Sequence, residues 1–334
     1  MEMDISVIIP TRNRCRHLIA LLASLKSQSL DPSRFEVIVV DNGSSDETPA
    51  AVAEFEHNAA FRLHYLREEV PGLHNARHAG MNAAAADLLV FADDDIMPFD
   101  SWLDGVLEGF SRPEILLVGG KNLPLWEIPP PRWLEKMWSG QKGARILGHL
   151  SVIDLGDRPQ EIEASLVWGC NFAVRKALLQ QTRGFHPDAM PDELIHLRGD
   201  GESYISNYLV VKGCHAQYHP KASVYHRVPK ERMTFEYFRK RAFNQGISDS
   251  YTHLRKSCGA VAEETDCQAA PVFRFGALAT KLLDLTVFGS DSRRLAKETA
   301  AGYREGYRYH QELFSQDRKI RDWVLQSDYL EGRI

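Results

Sequence analysis

The sequence predicts an α/β fold in which a mostly parallel, Rossmann-like sheet carries flanking helices. Short apolar runs alternate with segments of helical periodicity up to Ala92, and this rhythm is typical of parallel sheets. Polar clusters follow directly behind three of the apolar runs, which is where ligands bind in such sheets. Beyond residue 231 the pattern becomes helical, which predicts a helical C-terminal extension over residues 231–334.

The predicted elements follow in chain order. Four short apolar runs are predicted as strands: 5–9, 35–40, 62–66 and 88–92. Segments with apolar or small residues at helical spacing are predicted as helices: 18–25, 46 onwards, 76–86, 204–209, 235–242, 278–285 and 303–313. The proline-rich stretch 124–131 predicts a loop, after which the pattern changes.

The bulk composition is that of an ordinary globular protein. The 334 residues are 44% hydrophobic and 25% charged, which suits one large domain or one domain with an appendage. A formal net charge of −5 gives no reason to expect nucleic-acid binding as the main task. Five scattered cysteines without CxxC spacing favour a reducing compartment. No signal-peptide pattern and no apolar run of bilayer length are visible, so we expect a cytoplasmic location.

Three consecutive aspartates, Asp93, Asp94 and Asp95, follow the predicted strand 88–92. Buried carboxylates repel one another, and burying them is costly unless something neutralises their charge. A divalent cation that prefers oxygen ligands would do so, and in such sheets a phosphate commonly lies beyond the strand end. A solvated acidic turn that closes the strand is the alternative interpretation.

Two earlier strand ends carry further candidates. Thr11 could contact a ribose or base and Arg14 could face a phosphate, although Thr11 or Asn13 could equally cap a helix. Asp41 could accept hydrogen bonds from the imide or amino edge of a nucleobase. The alternative is a turn carboxylate bonded to its own backbone, which the sequence Asp-Asn-Gly favours.

Later segments of the chain carry candidates of other kinds. Gly72 would let the backbone approach a ligand, and Arg77 could reach a ribose or phosphate, with close helix packing as the alternative for this segment. Asp200 and Glu202 precede a predicted helix, where an acidic group could cap the helix or act as a general base. His226 could ligate a metal through a neutral imidazole or be a structural histidine.

Taken in order, these motifs resemble the family 2 glycosyltransferases, which have the GT-A fold. The matching segments lie between about residues 3 and 250: 6–14, 37–46, 91–95, 168–175 and 184–185. The resemblance implies a GT-A catalytic domain over residues 1–230, with a nucleotide-sugar half over about 1–120 and an acceptor half over about 121–230.

The resemblance implies an inverting transfer of a sugar from a nucleoside-diphosphate sugar to an acceptor hydroxyl, in cell-envelope, polysaccharide or glycolipid synthesis. UDP is the first expected nucleotide, with GDP and dTDP as alternatives, and the acceptor is expected to be a glycan or lipid-linked. Mn²⁺ or Mg²⁺ would bridge the two phosphates and stabilise the departing diphosphate. The implied metal ligands are Asp95, Asp93 and His226.

Further roles follow from the same resemblance. The implied nucleotide-sugar-binding residues are Pro10, Thr11, Asn13, Arg14, Asp41, Gly72, Asn75, Arg77, Asp93 and Asp94. Asp41 would hold the base, and Asp94 is the member of the triplet expected to be structural. The sugar would be cradled by Trp168, Gly169 and Asn171. The family usually has Glu-Asp before a helix, whereas this chain reads Asp200-Gly201-Glu202, so Asp200 is the first choice of base and Glu202 the second.

Other classes of protein fit the sequence less well. A nucleotidyltransferase would need a glycine-rich phosphate loop, and residues 10–14 contain no glycine. A non-catalytic sugar-nucleotide-binding protein would be expected to lack the carboxylates, and a dehydrogenase would need GxGxxG. The stretch Phe273–Gly289 could contact a membrane surface, a partner subunit such as a second copy, or its own domain. Peripheral contact with the inner face of the cell membrane is therefore a further hypothesis.

Overall fold

The computed structural model describes residues 3–139, 144–260 and 290–330. Its strands, in chain order, are β1 (Ile5–Thr11), β2 (Phe35–Asp41), β3 (Arg62–Arg67), β4 (Leu88–Ala92), β5 (Ile96–Pro98), β6 (Leu117–Gly119), β7 (Asn122–Trp126), β8 (Arg145–Leu147), β9 (Val152–Asp154), β10 (Gln160–Ile162), β11 (Asn171–Arg175), β12 (Ala216–Tyr218) and β13 (Val224–Val228). Its α-helices are α1 (Cys15–Leu25), α2 (Thr48–Glu56), α3 (Leu73–Ala83), α4 (Trp102–Gly109), α5 (Arg132–Glu135), α6 (Lys176–Gln181), α7 (Ser203–Val211), α8 (Phe235–Ser257), α9 (Ser290–Gln316) and α10 (Arg318–Val324).

The larger sheet has the strand order β10-β12-β6-β11-β4-β1-β2-β3. The strands β4, β1, β2 and β3 are parallel neighbours, and antiparallel pairing begins at β11. The predicted α/β architecture is confirmed, and strand β4 has the bounds expected from sequence. The predicted strand 5–9 is two residues longer in the structure, because Pro10 pairs with Val40 and Thr11 with Asp41. Pro10 stays in the strand although it has no N–H to donate.

Both faces of this sheet are covered, which explains the unbroken apolar runs of its central strands. On one face, Val7 and Ile9 of β1 pack in a core that includes the buried leucines of α1. On the other face, Ile8 packs with Ala76 and Met81 of α3. The hydrophobic burial of alternate residues on opposite faces therefore fixes the sheet between its helices.

A smaller sheet with the order β5-β13-β7-β9-β8 lies outside what the sequence predicts. Its strands are mostly three residues long, so periodicity alone does not reveal them. The prediction of a loop over residues 124–131 is wrong for its first three residues, which belong to β7 and pair with β13. This sheet brings β13, which carries His226, beside β5, which directly follows the aspartate triplet.

The C-terminal region is helical, as predicted, and it packs on the preceding part of the chain. Helices α8 and α9 approach closely where glycines face the partner backbone, as at Gly306 against Phe243. Farther along, the indole N–H of Trp323 in α10 donates to the carbonyl of Leu197 at 2.9 Å. The predicted helix 278–285 and the stretch Phe273–Gly289 lie outside the described residues. In the described part of the chain, every helix is too short or too polar to cross a membrane.

Candidate active site

The carboxyl ends of β1, β2 and β4 lie side by side at one edge of the larger sheet. Strand β1 pairs with β2 up to Thr11 and Asp41, and with β4 on its other side. The polar clusters that follow these strands therefore meet at this edge, where parallel sheets bind ligands. The strand pairing confirms that the first three clusters of the sequence share one location.

Asp94 links the end of β4 to the loop after β1. Its Oδ2 accepts a hydrogen bond from the Thr11 hydroxyl at 2.7 Å, and its Oδ1 accepts one from Arg14 at 2.8 Å. Burial raises the pKa of Asp94, and the charge of Arg14 opposes that effect. Since both oxygens bond to protein groups, Asp94 holds two loops together, and its place among the donor-binding residues stays a prediction.

Asp93, Asp95 and His226 form a cluster that could hold a metal ion, because one ligand atom of each lies within 4.8 Å of the others. Pairing of β13 with β5 sets His226 opposite Ile96, one residue beyond Asp95. As a result, Nε2 of His226 is 3.4 Å from Oδ1 of Asp95. Residues 131 positions apart in sequence thus meet through the smaller sheet.

The protonation of this cluster fits an oxygen-preferring dication. The carbonyl of Leu150, 2.9 Å from Nδ1 of His226, can only accept a hydrogen bond, so Nδ1 carries the proton and Nε2 a lone pair. Oδ1 of Asp95 is buried and has no hydrogen-bond partner among the described residues. Two acceptor atoms therefore face each other without a proton between them, and a cation would satisfy both.

The two aspartates of the cluster differ in acidity. Burial, and then the charge of Asp95, raise the pKa of Asp93 to about 6. Burial acts on Asp95 in the same direction, but the positive charges of Arg232 and Arg14 outweigh it and lower the pKa of Asp95. Asp95 is therefore ionised at neutral pH, and a bound dication would relieve the repulsion that acts on Asp93.

Two arginines donate to the same oxygen of Asp95. Arg14 lies 3.1 Å and Arg232 3.0 Å from Oδ2. Arg232 also donates to Nε2 of His226 at 3.2 Å. The sequence candidates did not include Arg232, and its only signal is its position six residues after His226 in a basic segment.

Asp41 is completely buried at the end of β2, and protein groups hold its carboxylate. Its Oδ1 accepts from the Ser44 N–H at 2.7 Å, and its Oδ2 accepts from the Tyr65 hydroxyl at 2.6 Å. Burial, followed by the hydrogen bond to Asp41, raises the pKa of Tyr65 to about 12. The turn-carboxylate interpretation thus describes these contacts, and the contact of Asp41 with a nucleobase stays a prediction.

Amide side chains connect the loops around this edge. Asn13 accepts from the Ser45 N–H at 2.8 Å, and Asn42 accepts from the Gly72 N–H at 2.9 Å. Gly72 has a φ of 123°, a left-handed conformation that favours glycine, at the start of α3.

The remaining donor-binding candidate at this edge is Asn75 in the first turn of α3. Its amide donates to the Pro71 carbonyl at 3.0 Å, so the side chain stabilises the same loop. Contact of this loop and of Pro10 with a donor is a prediction that the protein contacts alone do not test.

Glu202 lies in a compact group with Gly169 and Arg77. One carboxylate oxygen accepts from the Gly169 N–H at 3.1 Å, and the other is 3.3 Å from the Arg77 guanidinium. Gly169 precedes β11, whose residue Asn171 pairs with Ala92 at the end of β4. Because neighbouring strands are close, this pairing sets Glu202 and Arg77 beside the strand end that carries the aspartates.

Asp200 is in a different environment from Glu202. Its two oxygens accept hydrogen bonds from the His186 ring at 2.6 Å and from the Thr252 hydroxyl at 2.7 Å. Its side chain is 8% exposed, compared with 22% for Glu202. Asp200 therefore connects the segment that contains His186 to α8, whereas Glu202 retains access to solvent.

Two residues of the expected sugar pocket, Trp168 and Asn171, make hydrogen bonds within the protein. Trp168 is half-buried, and its indole N–H donates to the Ser165 carbonyl at 3.2 Å. Asn171 is buried, accepts from the Trp102 indole at 2.9 Å, and donates to Asn122 and to the Ala222 carbonyl. All of its polar side-chain atoms are engaged inside the protein, so these contacts stabilise the scaffold, and a role of Asn171 in a sugar pocket stays a prediction.

Comparison with known proteins identifies the family. The model of glycosyl transferase family 2 matches residues 6–183, more than half of the chain. The chain belongs to glycosyl transferase family 2. This family 2 member is 36% identical to glycosyltransferase AglE of Haloferax volcanii over 117 residues, 35% of the chain and 38% of the relative.

A second relative covers more of this family 2 chain. It is 26% identical to the pre-mycofactocin glycosyltransferase of Mycobacterium tuberculosis over 307 residues, 88% of the chain and 57% of the relative. The chain thus spans 38% and 57% of the lengths of these two curated relatives.

A solved structure supports the GT-A fold. The mannosyltransferase PcManGT of Pyrobaculum calidifontis, in complex with GDP-Man and Mn²⁺, superimposes with a TM-score of 0.56 at 18% identity. The match covers 99% of this family 2 chain and 85% of the mannosyltransferase. The GT-A architecture with a helical C-terminal region, expected from sequence, is confirmed.

Proposed function

We propose that this family 2 glycosyltransferase transfers a sugar, with inversion, from a nucleoside-diphosphate sugar to an acceptor hydroxyl. The observation that carries the proposal is the placement of two carboxylate groups around one strand end. Asp93 and Asp95 follow β4 with His226 beside them, and Glu202 is anchored to the backbone just before the neighbouring strand β11. A cation site that stabilises the leaving group, next to an accessible carboxylate that takes a proton, suits a single displacement.

In the proposed reaction Glu202 is the general base. Its carboxylate takes the proton of the acceptor hydroxyl, the oxygen attacks the anomeric carbon from the face opposite the diphosphate, and the diphosphate leaves with the bonding electron pair. Arg77 and the Gly169 N–H orient this carboxylate through the two contacts described above. The engagement of Asp200 by His186 and Thr252 favours Glu202 over the first choice made from sequence.

Asp93, Asp95 and His226 would hold Mn²⁺ or Mg²⁺, which supplies charge neutralisation for the departing diphosphate when bound. The structural neighbour was solved with Mn²⁺ and GDP-Man, which supports this chemistry for the fold. Thr11, Arg14 and the other loop residues at the strand ends would line the donor. Asp41 with Tyr65 would face the base, and UDP, GDP and dTDP donors all suit this proposal.

The acceptor is proposed to be a glycan, free or lipid-linked, handled in the cytoplasm or at the inner face of the membrane. A cleft of about 320 Å³ lies on the smaller sheet and suits a sugar ring. Trp126 and Trp138 line it, with the Arg145 guanidinium 4.4 Å above the Trp138 ring and Asp154 nearby. Its lining residue Pro124 pairs with His226, which puts the cleft one strand from the metal cluster.

The proposal is tested with two matched variants, Glu202→Gln and Asp200→Asn. We expect Glu202→Gln to lower sugar transfer by about 10²–10⁴-fold, the typical contribution of a general base. Asp200→Asn should keep most of the transfer rate and lose thermal stability, because His186 and Thr252 lose one of the two carboxylate oxygens that accept their hydrogen bonds. The assay is release of UDP or GDP from the donor, with donor binding followed by Mn²⁺-dependent thermal shift.

The outcomes separate the hypotheses. Abolished transfer in Asp200→Asn, with normal stability and donor binding, would return the base to Asp200. Absence of any metal-dependent stabilisation by UDP-, GDP- or dTDP-sugars would refute the donor assignment itself. Donor binding without transfer in the wild-type protein would favour a non-catalytic sugar-nucleotide-binding protein.

A further inference from the structure

Arg232 lies where a cation would bind. It belongs to the short 3₁₀ turn Lys230–Met233, which leads from β13 into α8. One of its guanidinium nitrogens donates to Oδ2 of Asp95 at 3.0 Å, and the other to Nε2 of His226 at 3.2 Å. A single side chain thus bonds two of the three residues that could ligate a metal.

These contacts compete directly with metal binding. Nε2 of His226 has one lone pair, because Nδ1 already donates to Leu150, so it can bond either the Arg232 N–H or a cation. A guanidinium this close also repels an incoming dication. Metal binding at Asp95 and His226 therefore requires Arg232 to leave at least one of its contacts.

The surroundings allow such a movement. The Arg232 side chain is 22% exposed, whereas that of Asp95 is 5% exposed, so the guanidinium reaches inward from the solvent side. Arg14, the other cation on Oδ2 of Asp95, has a second anchor on Asp94 and no bond to His226. Of the two arginines, Arg232 is the one whose removal would free the histidine.

We propose that Arg232 is a displaceable stand-in for the metal ion and becomes a diphosphate ligand once a cation takes its place. Arg14 and Arg232 bond Asp94 and Asp95, and the charge of Arg77 acts on Asp93, so a dication brings a surplus of positive charge that an anion can balance. The released guanidinium has the planar donors that phosphate oxygens accept. This second step rests on the proposed function, whereas the competition with metal does not.

The proposal predicts opposite effects of one substitution in two conditions. With Mn²⁺ as the only ligand, Arg232→Gln should bind the ion about tenfold more tightly than the wild type, since a charge-assisted contact no longer has to be broken. With UDP present, the improvement of Mn²⁺ affinity caused by the nucleotide should be smaller in Arg232→Gln than in the wild type. Titration calorimetry and the electron paramagnetic resonance signal of free Mn²⁺ both measure these affinities.

The matched control is Arg227→Gln, which removes the same charge five residues earlier. Arg227 donates to the sulfur of Met97 and has no side-chain bond to Asp95 or His226. Its effect on Mn²⁺ affinity should be several-fold smaller than that of Arg232→Gln. Arg232→Lys is a second variant, which keeps the charge but cannot bond both residues as the guanidinium does. Its Mn²⁺ affinity should lie between those of Arg232→Gln and the wild type.

Unchanged or weaker Mn²⁺ binding in Arg232→Gln, with a thermal unfolding profile like that of the wild type, would overturn the proposal. If Arg232→Gln does not fold, the test is made with Arg232→Lys. A Mn²⁺ affinity of Arg232→Lys equal to or below that of the wild type would also overturn the proposal. Tighter Mn²⁺ binding in a protein that never binds UDP, GDP or dTDP would keep the stand-in role. In that case the proposed function and the diphosphate role would fail together.

Discussion

Replacement of His74 by leucine should remove part of the acid sensitivity of this protein. His74 is buried in α3, and its ring lies 6.3 Å from the Trp323 ring and 6.4 Å from the Tyr329 ring, measured between centroids. Neither ring nitrogen has a hydrogen-bond partner among the described residues. Burial, and then the neighbouring His78, lower the pKa of His74 from 6.5 to about 3.

The sign and size of the effect follow from these two values. The unfolded chain takes up the proton near pH 6.5, whereas the folded protein does so only near pH 3, so falling pH favours the unfolded state in between. Between pH 7 and pH 5 the linkage amounts to about 2 kcal/mol for this one group. His74→Leu keeps a similar volume and cannot titrate, so it should lose about 2 kcal/mol less stability over that interval.

Urea unfolding at pH 7 and pH 5, followed by tryptophan fluorescence, measures the difference, and Trp323 reports directly on this cluster. The control is His57→Leu on the exposed end of α2, where the side chain meets water in the folded and unfolded chain alike. That substitution should leave the difference in unfolding free energy between pH 7 and pH 5 as it is in the wild type. If His74→Leu and the wild type lost the same free energy of unfolding between pH 7 and pH 5, burial of the neutral His74 ring would not be a cause of the acid sensitivity.

Two further substitutions test the active-site scaffold. Gly169→Ala would put a methyl group about 2.9 Å from a carboxylate oxygen of Glu202 and against Arg77. We expect the rate of sugar transfer to fall about 10²-fold because the proposed base is misplaced, while Mn²⁺-dependent nucleotide binding is retained. An unchanged rate would contradict the proposed role of Glu202. Asn171→Ala would leave the Trp102 indole, Asn122 and the Ala222 carbonyl without their partner, which should cost about 3 kcal/mol in urea unfolding. Normal stability with weakened donor binding would instead make Asn171 a pocket residue.

The polar edge of the larger sheet could be predicted from sequence because its information is local. Strand β4 and the three aspartates behind it are adjacent in the chain, and burial of an apolar run fixes where the carboxylates emerge. The same holds for Thr11 behind β1 and Asp41 behind β2. For these clusters, the alternation of strands and helices was sufficient to place them at one edge.

The choice between Asp200 and Glu202 could not be made from sequence, since both flank one glycine before the same helix. It depends on His186 and Thr252, which engage Asp200 from distant parts of the chain, and on Gly169, which anchors Glu202. Each of these contacts spans more than ten residues of sequence, so no local pattern encodes it.

By itself the sequence determined the α/β architecture, the family and the two aspartates of the candidate metal site, because these follow from short-range hydrophobic patterns and ordered motifs. Only the tertiary structure decided that Arg232 bridges Asp95 and His226, and that a second sheet of short strands brings them together. Short strands have too few residues to show a period, and the pairing of distant charges depends on folded distances.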